Sequence, residues 1–425
     1  ASCGTYTFTY NDETGDLETV TAPSGAILYN GSVNRSNRTQ TKTYGNGKNE
    51  TIAYDKYGNV ISSTYNGKTA NFTYCDKDGS VNVNAVLKTL TDGFAGTTNT
   101  YAVDENEQTQ INVTDITTDG KGSWKKEKYL SGDKLITAYT IGGSGHIDTT
   151  NDKMLYYVEN YDAFGKPTEK INISHNSTFT KTVSAEYEKD KLCRTIKRKT
   201  HVPSCSASTE YTYADSANKR VRYVSNEKSS FPNKASDERS YTYDINGNVT
   251  SVKIKDSENV LVKTISYTYD SLNRLTSENN GLTGITTAYT YDANGNILTK
   301  TKNNVTTNYA YSATWGDLLT KYGTEDNIIY NNGYPTTYRG KTFSWDRNML
   351  SSYTKNYGTT YNFTYDVYGK RIKTQYGSSQ TSYFFYDGDR LIAEHMYMLN
   401  QSTPTLKVHY LYENEGVCAC KIYYK

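Results

Sequence analysis

The aspartates of this chain recur in a fixed setting, and they are its first candidates for chemistry. A Tyr-Asp pair is followed three residues later by Gly-Asn or a near equivalent, as at Asp244 and Asp292. Two facing carboxylates could serve as the acid and the nucleophile of a glycosidase, and the oxygens of an Asp-x-Asn-Gly turn could bind Ca²⁺. The same residue recurs at the same turn in every unit, however, and one turn offers too few oxygens for a metal. We therefore predict turn-forming aspartates, with no catalytic residue, no bound metal and no cofactor.

The cysteines and histidines give weaker signals. Cys193 and Cys205 flank a short segment that contains His201, and they either close a hairpin disulfide or remain two free thiols. A zinc site there would need a fourth ligand, and none follows at a recognisable spacing. Cys418 and Cys420 lie on one face of a strand, and we predict that both are buried thiols. The histidines lie apart in the sequence without a catalytic motif; they are His146, His175, His201, His395 and His409.

The composition predicts an all-β protein. Of 425 residues, 43 are Tyr and only 10 are Phe, so the chain must bury amphipathic rings whose hydroxyls need partners. Thr, Tyr and Val favour strands, and Asn, Asp and Gly favour turns. A net charge of +2 gives no electrostatic footprint for nucleic acid, and no apolar stretch is long enough to span a membrane. The short basic cluster at 197–199 is expected on a solvated strand edge.

An internal repeat positions the aspartates. In the segment 288–300, Tyr289 and Tyr291 leave one face of a strand, Asp292 opens a turn, and Asn294-Gly295 favours a tight reversal into a second strand. Two short strands and two turns add up to about 20 residues, and stacked units would place tyrosines in ladders across strands. The residues that define the repeat are Tyr54, Asp55, Gly58, Tyr161, Asp162, Gly165, Tyr243, Asp244, Gly247, Tyr269, Asp270, Tyr291, Asp292, Gly295, Tyr365, Asp366, Gly369, Tyr386 and Asp387.

The repeat divides the chain into two parts. Residues 240–425 are regular, with an aromatic residue at each expected position. Residues 1–239 carry looser repeats, and the phase is lost between Tyr74 and Tyr161, so the stretch near 80–150 is either degenerate or an insertion. The only helical signal is a short turn at 84–88. These features predict one continuous antiparallel strip rather than separate domains.

The Tyr-Asp-x-x-Gly-Asn units resemble the YD repeats of the rearrangement-hotspot (RHS) family, which is related to bacterial wall-associated proteins, Tc toxin C components and teneurins. The resemblance extends to Trp315-Gly316-Asp317-Leu318-Leu319 and to the segment 386–394. It implies an all-β strip coiled into a spiral hollow shell of a secreted bacterial polymorphic toxin. The implied partner is an enclosed toxin or other polypeptide cargo outside this chain, and the wall is expected to be non-enzymatic.

The chain departs from the family pattern near its end. None of its six prolines follows an aspartate, so the Asp-Pro self-cleavage motif is absent, and we expect the chain to stop before the family's C-terminal core. The resemblance also implies a secreted or cell-surface location. The alternative function is a cell-surface adhesion or carbohydrate-binding repeat protein, with self-assembly or a surface glycan as the partner. A strip whose end repeats are exposed needs further repeats or other copies to cover them, because each repeat buries its face only against the next one.

Overall fold

The structure is a computed structural model that contains strands and no helix in the residues it describes. These residues are 4–74, 76–77, 80–81, 86–103, 110–118, 122–131, 134–143, 153–161, 167–174, 183–202, 205–214, 223–232, 236–256, 258, 260–355, 358–413 and 416–424. Within this part of the chain, no helix is long and apolar enough to cross a membrane.

The strands are short and follow one another closely. The first half comprises β1 (Thr7–Tyr10), β2 (Leu17–Thr21), β3 (Ile27–Asn34), β4 (Thr39–Tyr44), β5 (Asn49–Tyr54), β6 (Val60–Tyr65), β7 (Lys68–Tyr74), β8 (Asp76–Lys77), β9 (Ser80–Val81), β10 (Leu87–Asp92), β11 (Thr97–Val103), β12 (Gln110–Thr118), β13 (Gly122–Ser131), β14 (Lys134–Gly143), β15 (Lys153–Tyr161), β16 (Pro167–Ser174), β17 (Val183–Lys189), β18 (Thr195–Val202) and β19 (Cys205–Tyr213). The second half comprises β20 (Val224–Ser230), β21 (Asp237–Tyr243), β22 (Val249–Lys255), β23 (Leu261–Tyr269), β24 (Leu275–Asn280), β25 (Ile285–Tyr291), β26 (Ile297–Lys302), β27 (Val305–Tyr311), β28 (Leu319–Tyr322), β29 (Ile329–Asn331), β30 (Tyr334–Tyr338), β31 (Lys341–Asp346), β32 (Met349–Thr354), β33 (Thr360–Tyr365), β34 (Arg371–Tyr376), β35 (Gln380–Asp387), β36 (Arg390–Met398), β37 (Leu406–Glu413) and β38 (Gly416–Tyr424).

The strands form two long antiparallel meanders. A 26-stranded sheet runs from β1 to β28, with only the small β8–β9 hairpin left out, and a 10-stranded sheet runs from β29 to β38. Almost every strand pairs with the one that follows it in the chain, as in β21–β22 and β33–β34. The predicted continuous all-β strip is therefore confirmed. The sheets separate between Tyr322 and Ile329, whereas the change in repeat regularity predicted at 239/240 stays a prediction.

The repeat hairpins close through a glycine in the left-handed region. Gly295 has a φ of 91° and donates its amide to the Asp292 carbonyl, while the Asp292 amide donates to the Asn296 carbonyl. This is a three-residue loop with a bulge at the glycine, and the strand register shifts at the adjacent Tyr291. The tight reversal predicted at Asn294-Gly295 is therefore present, and only the glycine of the pair takes a positive φ.

The structure corrects three expectations. Leu87 begins strand β10, so the short helical turn predicted at 84–88 is wrong where the residues are described. The basic cluster at 197–199 lies in β18, which pairs on both sides with β17 and β19, and so it is not at a sheet edge. Lys197 instead pairs with Glu210 at 2.5 Å across the strands. In the stretch 80–150, the described strands β10 to β14 continue the meander without a break.

The strip coils so that its last third lies against its beginning. Contacts join residues about 250–310 positions apart, including Tyr6 with Asp317 at 3.2 Å and Tyr65 with Asp346 at 2.8 Å. We call residues 4–143 the first coil and residues 312–413 the second coil. A buried cluster joins Trp124 and Tyr139 of the first coil to residues 383–411 of the second. A single sheet has one layer, so the core forms where the two coils meet.

Candidate functional site

Each regular repeat turn is organised around its aspartate. Asp292 Oδ1 accepts the amides of Asn294 and Asn296 at 2.9 and 2.8 Å, and Asp292 Oδ2 accepts Asn296 Nδ2 at 2.8 Å. Asp55 and Asp244 make the same three bonds with the residues two and four positions later. The bond from Asn248 Nδ2 leads the causes that hold the pKa of Asp244 below its usual value. Both oxygens are occupied within the turn, which leaves little capacity for a metal.

The residue four positions after the aspartate links each turn to the next. Arg274 Nε donates to Asp270 Oδ2 at 2.7 Å, and Arg274 Nη1 donates to the carbonyl of Asp292 in the following turn at 2.8 Å. Asn296 similarly bridges its own aspartate and the Gly316 carbonyl. The Arg274 guanidinium also lies 4.7 Å from the ring centre of Tyr291. This explains why Asn, Arg and Lys all occur at this position: each carries a nitrogen donor.

The tyrosine of each repeat links backwards. Tyr269 donates its hydroxyl to the carbonyl of Val249 at 2.8 Å, and Val249 is the strand partner of Tyr243 in the preceding repeat. At the matching position Trp345 donates its indole nitrogen to the Pro335 carbonyl at 2.7 Å. The other pairs of donor and carbonyl acceptor are Tyr74 and Val60, Tyr213 and Thr195, Tyr243 and Val224, Tyr291 and Leu275, Tyr311 and Ile297, Tyr330 and Leu319, Tyr365 and Leu350, Tyr386 and Arg371, and Tyr412 and Leu391.

Four of the predicted units differ from this scheme. Tyr54 donates its hydroxyl to the side-chain oxygen Oε1 of Gln40 at 3.1 Å and not to a main-chain carbonyl. Asp366 keeps the bond from the Lys370 amide, but burial raises its pKa. Asp387 turns its carboxylate away from its own hairpin and towards the first coil. Tyr161 ends strand β15, while Asp162 and Gly165 lie outside the described residues.

Two turns organised around an aspartate were not predicted from the sequence, one at Asp190 and one at Asp256, whose Oδ1 accepts the amides of Glu258 and Val260 at 3.0 and 2.9 Å. Asp190 accepts the amides of Leu192 and Arg194 and the Arg194 side chain, as Asp270 does in its turn. Cys193 takes the place of the glycine, with a φ of 60°. The unit at Asp190 was overlooked because Lys189 stands where the tyrosine is expected. The Asp-to-Arg spacing of four, shared with Asp270 and Arg274, is the signal that could have found it.

The coil junction, the contact between the two coils, is made by repeat turns of the second coil. Lys126 Nζ lies 2.7 Å from Asp387 Oδ2, and the Tyr139 hydroxyl donates to the same oxygen. The Val367 amide donates to Asp92 Oδ2 at 2.6 Å. The Arg347 amide donates to the Tyr65 hydroxyl at 3.0 Å. None of these first-coil residues was identified from the sequence, because they belong to no repeat motif.

The structure describes two of the cysteine thiols and a pair of buried imidazoles. Cys193 is a free thiol, and Cys420 is free and exposed rather than buried; the side chains of Cys205 and Cys418 lie outside the described part. His395 and His409, which lie apart in the sequence, are buried together with their Nε2 atoms 3.4 Å apart. Burial lowers the pKa of His395 to about 2 and that of His409 to about 3, so both rings are neutral. Among the described residues, no three side chains form a metal-binding group.

Comparison with known proteins agrees with this architecture. The chain is similar to the Tc holotoxin pore of Photorhabdus luminescens, with 15% identity and a TM-score of 0.55, over 96% of this chain and 23% of that one. It is also similar to TcdB2-TccC3-Cdc42, with 14% identity and a TM-score of 0.52, over 96% of this chain and 28% of that one. No curated protein sequence matches it. At these identities the structures show a shared fold.

The family comparison covers nearly the whole chain. A model described as Teneurin YD-shell matches residues 1–419, which confirms the resemblance carried by the Tyr-Asp units. This chain spans about a quarter of the matched structures' own length, 23% of one and 28% of the other. The length of the family match shows that this chain belongs to the teneurin YD-shell family.

Proposed function

We propose that this chain forms part of the wall of a secreted shell that encloses a toxin or another polypeptide. The observation that carries the proposal is the coil junction, where turns at 346–390 seat on the first coil. Such contacts join successive coils of one strip into a wall. A flat strip would not need these contacts. The family assignment gives a structural shell fold, and the likeness to a holotoxin supports the toxin role.

The residues of the repeat have a structural role in this proposal. The Tyr hydroxyl binds the preceding repeat and the residue four after the aspartate binds the following one, as Tyr269 and Arg274 do. Each hydrogen bond contributes about 1 kcal/mol net, so many small links hold the strip. We infer that the Tyr-Asp residues maintain the wall and perform no reaction.

The alternative, a carbohydrate-binding or adhesion surface, has less support. Sugars stack on open ring faces, whereas Tyr353 and Tyr361 stack on each other with centroids 4.7 Å apart and planes 8° apart. Tyr361 also packs on Tyr376 at 4.6 Å. The ring faces of this ladder are used between strands, which leaves mainly ring edges for a ligand.

Electron microscopy of the full protein that contains this chain tests the proposal. We expect a hollow particle whose interior holds the density of the enclosed polypeptide, and that polypeptide should resist added protease. Asp387→Asn should weaken the coil junction and make the enclosed polypeptide cleavable, because Asp387 contacts both Lys126 and Tyr139.

A matched control lies two residues away. The Asp389 side chain is 99% exposed, and among the described residues it pairs with Lys370 of its own coil, so Asp389→Asn should leave protease resistance unchanged. A solid rod would contradict the shell. A flat array that binds glycans tightly would support adhesion instead.

A further inference from the structure

Three tyrosines lie side by side on neighbouring strands of the second coil, and we call them the tyrosine ladder. Tyr353 of β32 is the register partner of Tyr361 of β33, which is in turn the register partner of Tyr376 of β34. The rings of Tyr353 and Tyr361 have centroids 4.7 Å apart and planes within 8° of parallel. The ring of Tyr376 lies 4.6 Å from that of Tyr361 but is tilted by 53°. All three side chains are partly exposed, so solvent reaches the ladder.

The hydroxyl of Tyr361 lies next to a cation. Lys355 Nζ is 4.9 Å from the ring centre of Tyr361 and 5.6 Å from that of Tyr376. A hydrogen bond from Lys355 is the largest of the causes that hold the pKa of Tyr361 below its usual value, and the hydroxyls of Tyr353 and Tyr376 act in the same direction. By contrast, burial raises the pKa of a linking tyrosine such as Tyr269. Tyr361 is therefore a phenol that ionises readily and is stacked on a second phenol.

This arrangement favours the coupling of two tyrosines by oxidation. A phenolate gives up an electron faster than a neutral phenol, and the product is a phenoxyl radical. The unpaired electron occupies a π orbital perpendicular to the ring, with density on the carbons ortho to the oxygen. Parallel rings hold these orbitals face to face, and groups held in a reactive orientation combine far faster than groups that must first meet. A ring tilted by 53°, as at Tyr376, offers less overlap.

We propose that Tyr353 and Tyr361 are a modification site, at which a one-electron oxidant joins β32 to β33 through a dityrosine cross-link. Each ring loses one electron and its hydroxyl proton, and the two radicals form a carbon–carbon bond between ortho positions. Each bonded carbon then releases its hydrogen as a proton while its oxygen takes one up, which restores both phenols. The pair thus loses two electrons and two protons in all. Hydrogen peroxide, consumed by a haem peroxidase, accepts them and becomes two molecules of water.

The cross-link joins two hairpins that contact the first coil. The turn before β32 contains Arg347, whose amide donates to the Tyr65 hydroxyl. The turn after β33 contains Val367, whose amide donates to Asp92. A covalent bond between β32 and β33 therefore ties together two neighbouring contacts of the coil junction that are otherwise connected by strand pairing.

A second stacked pair in the chain provides an internal comparison. The rings of Tyr223 and Tyr243 have centroids 5.0 Å apart and planes 23° apart. The Tyr243 hydroxyl donates to the Val224 carbonyl at 2.7 Å, and burial raises its pKa. This pair has the stacking but a hydroxyl that retains its proton, so it should couple much less than the pair in the ladder.

Peptide mass spectrometry after oxidation of the folded chain tests the inference. The oxidant is a haem peroxidase supplied with hydrogen peroxide. In wild type, the peptides that contain Tyr353 and Tyr361 should be joined with the loss of two hydrogen atoms. Tyr353→Phe and Tyr361→Phe should each abolish this product, because phenylalanine keeps the ring but forms no phenoxyl radical. Tyr376→Phe is the matched control and should retain the product.

The role of Lys355 is tested by a pH profile of dityrosine fluorescence. Lys355→Gln keeps a hydrogen-bond donor but removes the charge that favours the phenolate, so coupling should begin at a higher pH than in wild type. A lysine that only packed against the rings would change the yield at every pH and leave the profile in place. Lys263→Gln, on the exposed side of β23, should give the wild-type profile.

Three results would overturn the inference. One is a wild-type chain that forms no cross-link between Tyr353 and Tyr361, and another is loss of the cross-link in Tyr376→Phe. The third is equal coupling of Tyr223 with Tyr243, which would show that stacking alone decides the product. An unchanged pH profile in Lys355→Gln would remove the lysine from the site. The ladder lies within one coil, so these results are independent of whether the chain encloses a polypeptide.

Discussion

Removing the hydroxyl of one repeat tyrosine tests whether the bonds from these hydroxyls to main-chain carbonyls hold neighbouring repeats together. Tyr269→Phe keeps the ring but deletes the 2.8 Å bond to the Val249 carbonyl. A net hydrogen bond is worth about 1 kcal/mol, and the carbonyl that loses its partner can raise the cost to about 2 kcal/mol. The hydroxyls of Tyr291 and Tyr311 bond to different carbonyls, so the triple Phe variant should lose about 3 kcal/mol. The loss should be local, because each repeat contacts mainly its neighbours.

Native-state hydrogen exchange measures this local loss. A change of about 1 kcal/mol should accelerate exchange about fivefold in β22 and β23, while β3 and β4 of the first coil keep wild-type rates. Tyr267→Phe is the matched control, because Tyr267 lies on the same strand and its hydroxyl bonds to no carbonyl among the described residues. Equal effects of the two substitutions would show that ring packing, and not the hydroxyl bond, joins the repeats. Uniform acceleration along the chain would refute the local coupling.

Four further predictions follow from the same contacts. Trp345→Tyr should preserve thermal stability better than Trp345→Phe, because only Tyr can still donate to the Pro335 carbonyl. Asp292→Asn should lower the free energy of unfolding by about 1–2 kcal/mol, because the new side-chain amide nitrogen would face the amide nitrogen of Asn296. In denaturant titrations, the double variant that also carries Asn296→Asp should recover about half of this loss. Asp92→Asn should lower stability by about 1–3 kcal/mol, because a side-chain donor would then face the Val367 amide across the coil junction. Faster protease cleavage between the coils would report this loss, and wild-type resistance would contradict the prediction. Burial raises the pKa of the linking tyrosines, including Tyr269 and Tyr412, so folding favours their neutral form. The stability that these tyrosines contribute is present below pH 10 and is lost as the pH rises through their raised pKa values. Absorbance titration should therefore show that the tyrosines ionise at a higher pH than free tyrosine and that their ionisation coincides with loss of structure.

Much of the fold could be predicted from local sequence. The alternation of Tyr289 and Tyr291 fixes a strand face, and Asp292 with Gly295 fixes a three-residue hairpin, because these residues act within a few positions of each other. The turn type is not fixed by Asn294-Gly295 alone, since Asn-Gly suits two hairpin types and the aspartate bonds decide between them. Trp345 fitted the repeat spacing, and the structure shows that its indole nitrogen can replace a phenol hydroxyl.

The contacts between coils could not be predicted, because they depend on the curvature of the whole strip. Asp92 and Lys126 carry no repeat signature, and their partners lie 275 and 261 residues away. His395 and His409 illustrate the same limit at shorter range. They are separated by 14 residues in sequence, but the β36–β37 pairing places both rings on one face. Sequence spacing shows these residues as isolated when the sheet brings them together.

Each repeat is hydrogen-bonded both to the preceding repeat and to the following one. These two links explain how a repeat that buries few side chains tolerates variation in its sequence. A unit that keeps its aspartate and a donor four residues later still joins the next unit, as Asp190 and Arg194 do without a preceding tyrosine. The Arg194 guanidinium then lies 4.3 Å from the ring centre of Tyr213, whose hydroxyl binds back to Thr195. Each connection between neighbours therefore uses groups from both units, and loss of one group leaves the other in place. Such redundancy allows a unit to lose its tyrosine while the meander continues, as at Asp190, so the number of recognisable Tyr-Asp pairs underestimates the number of working repeats.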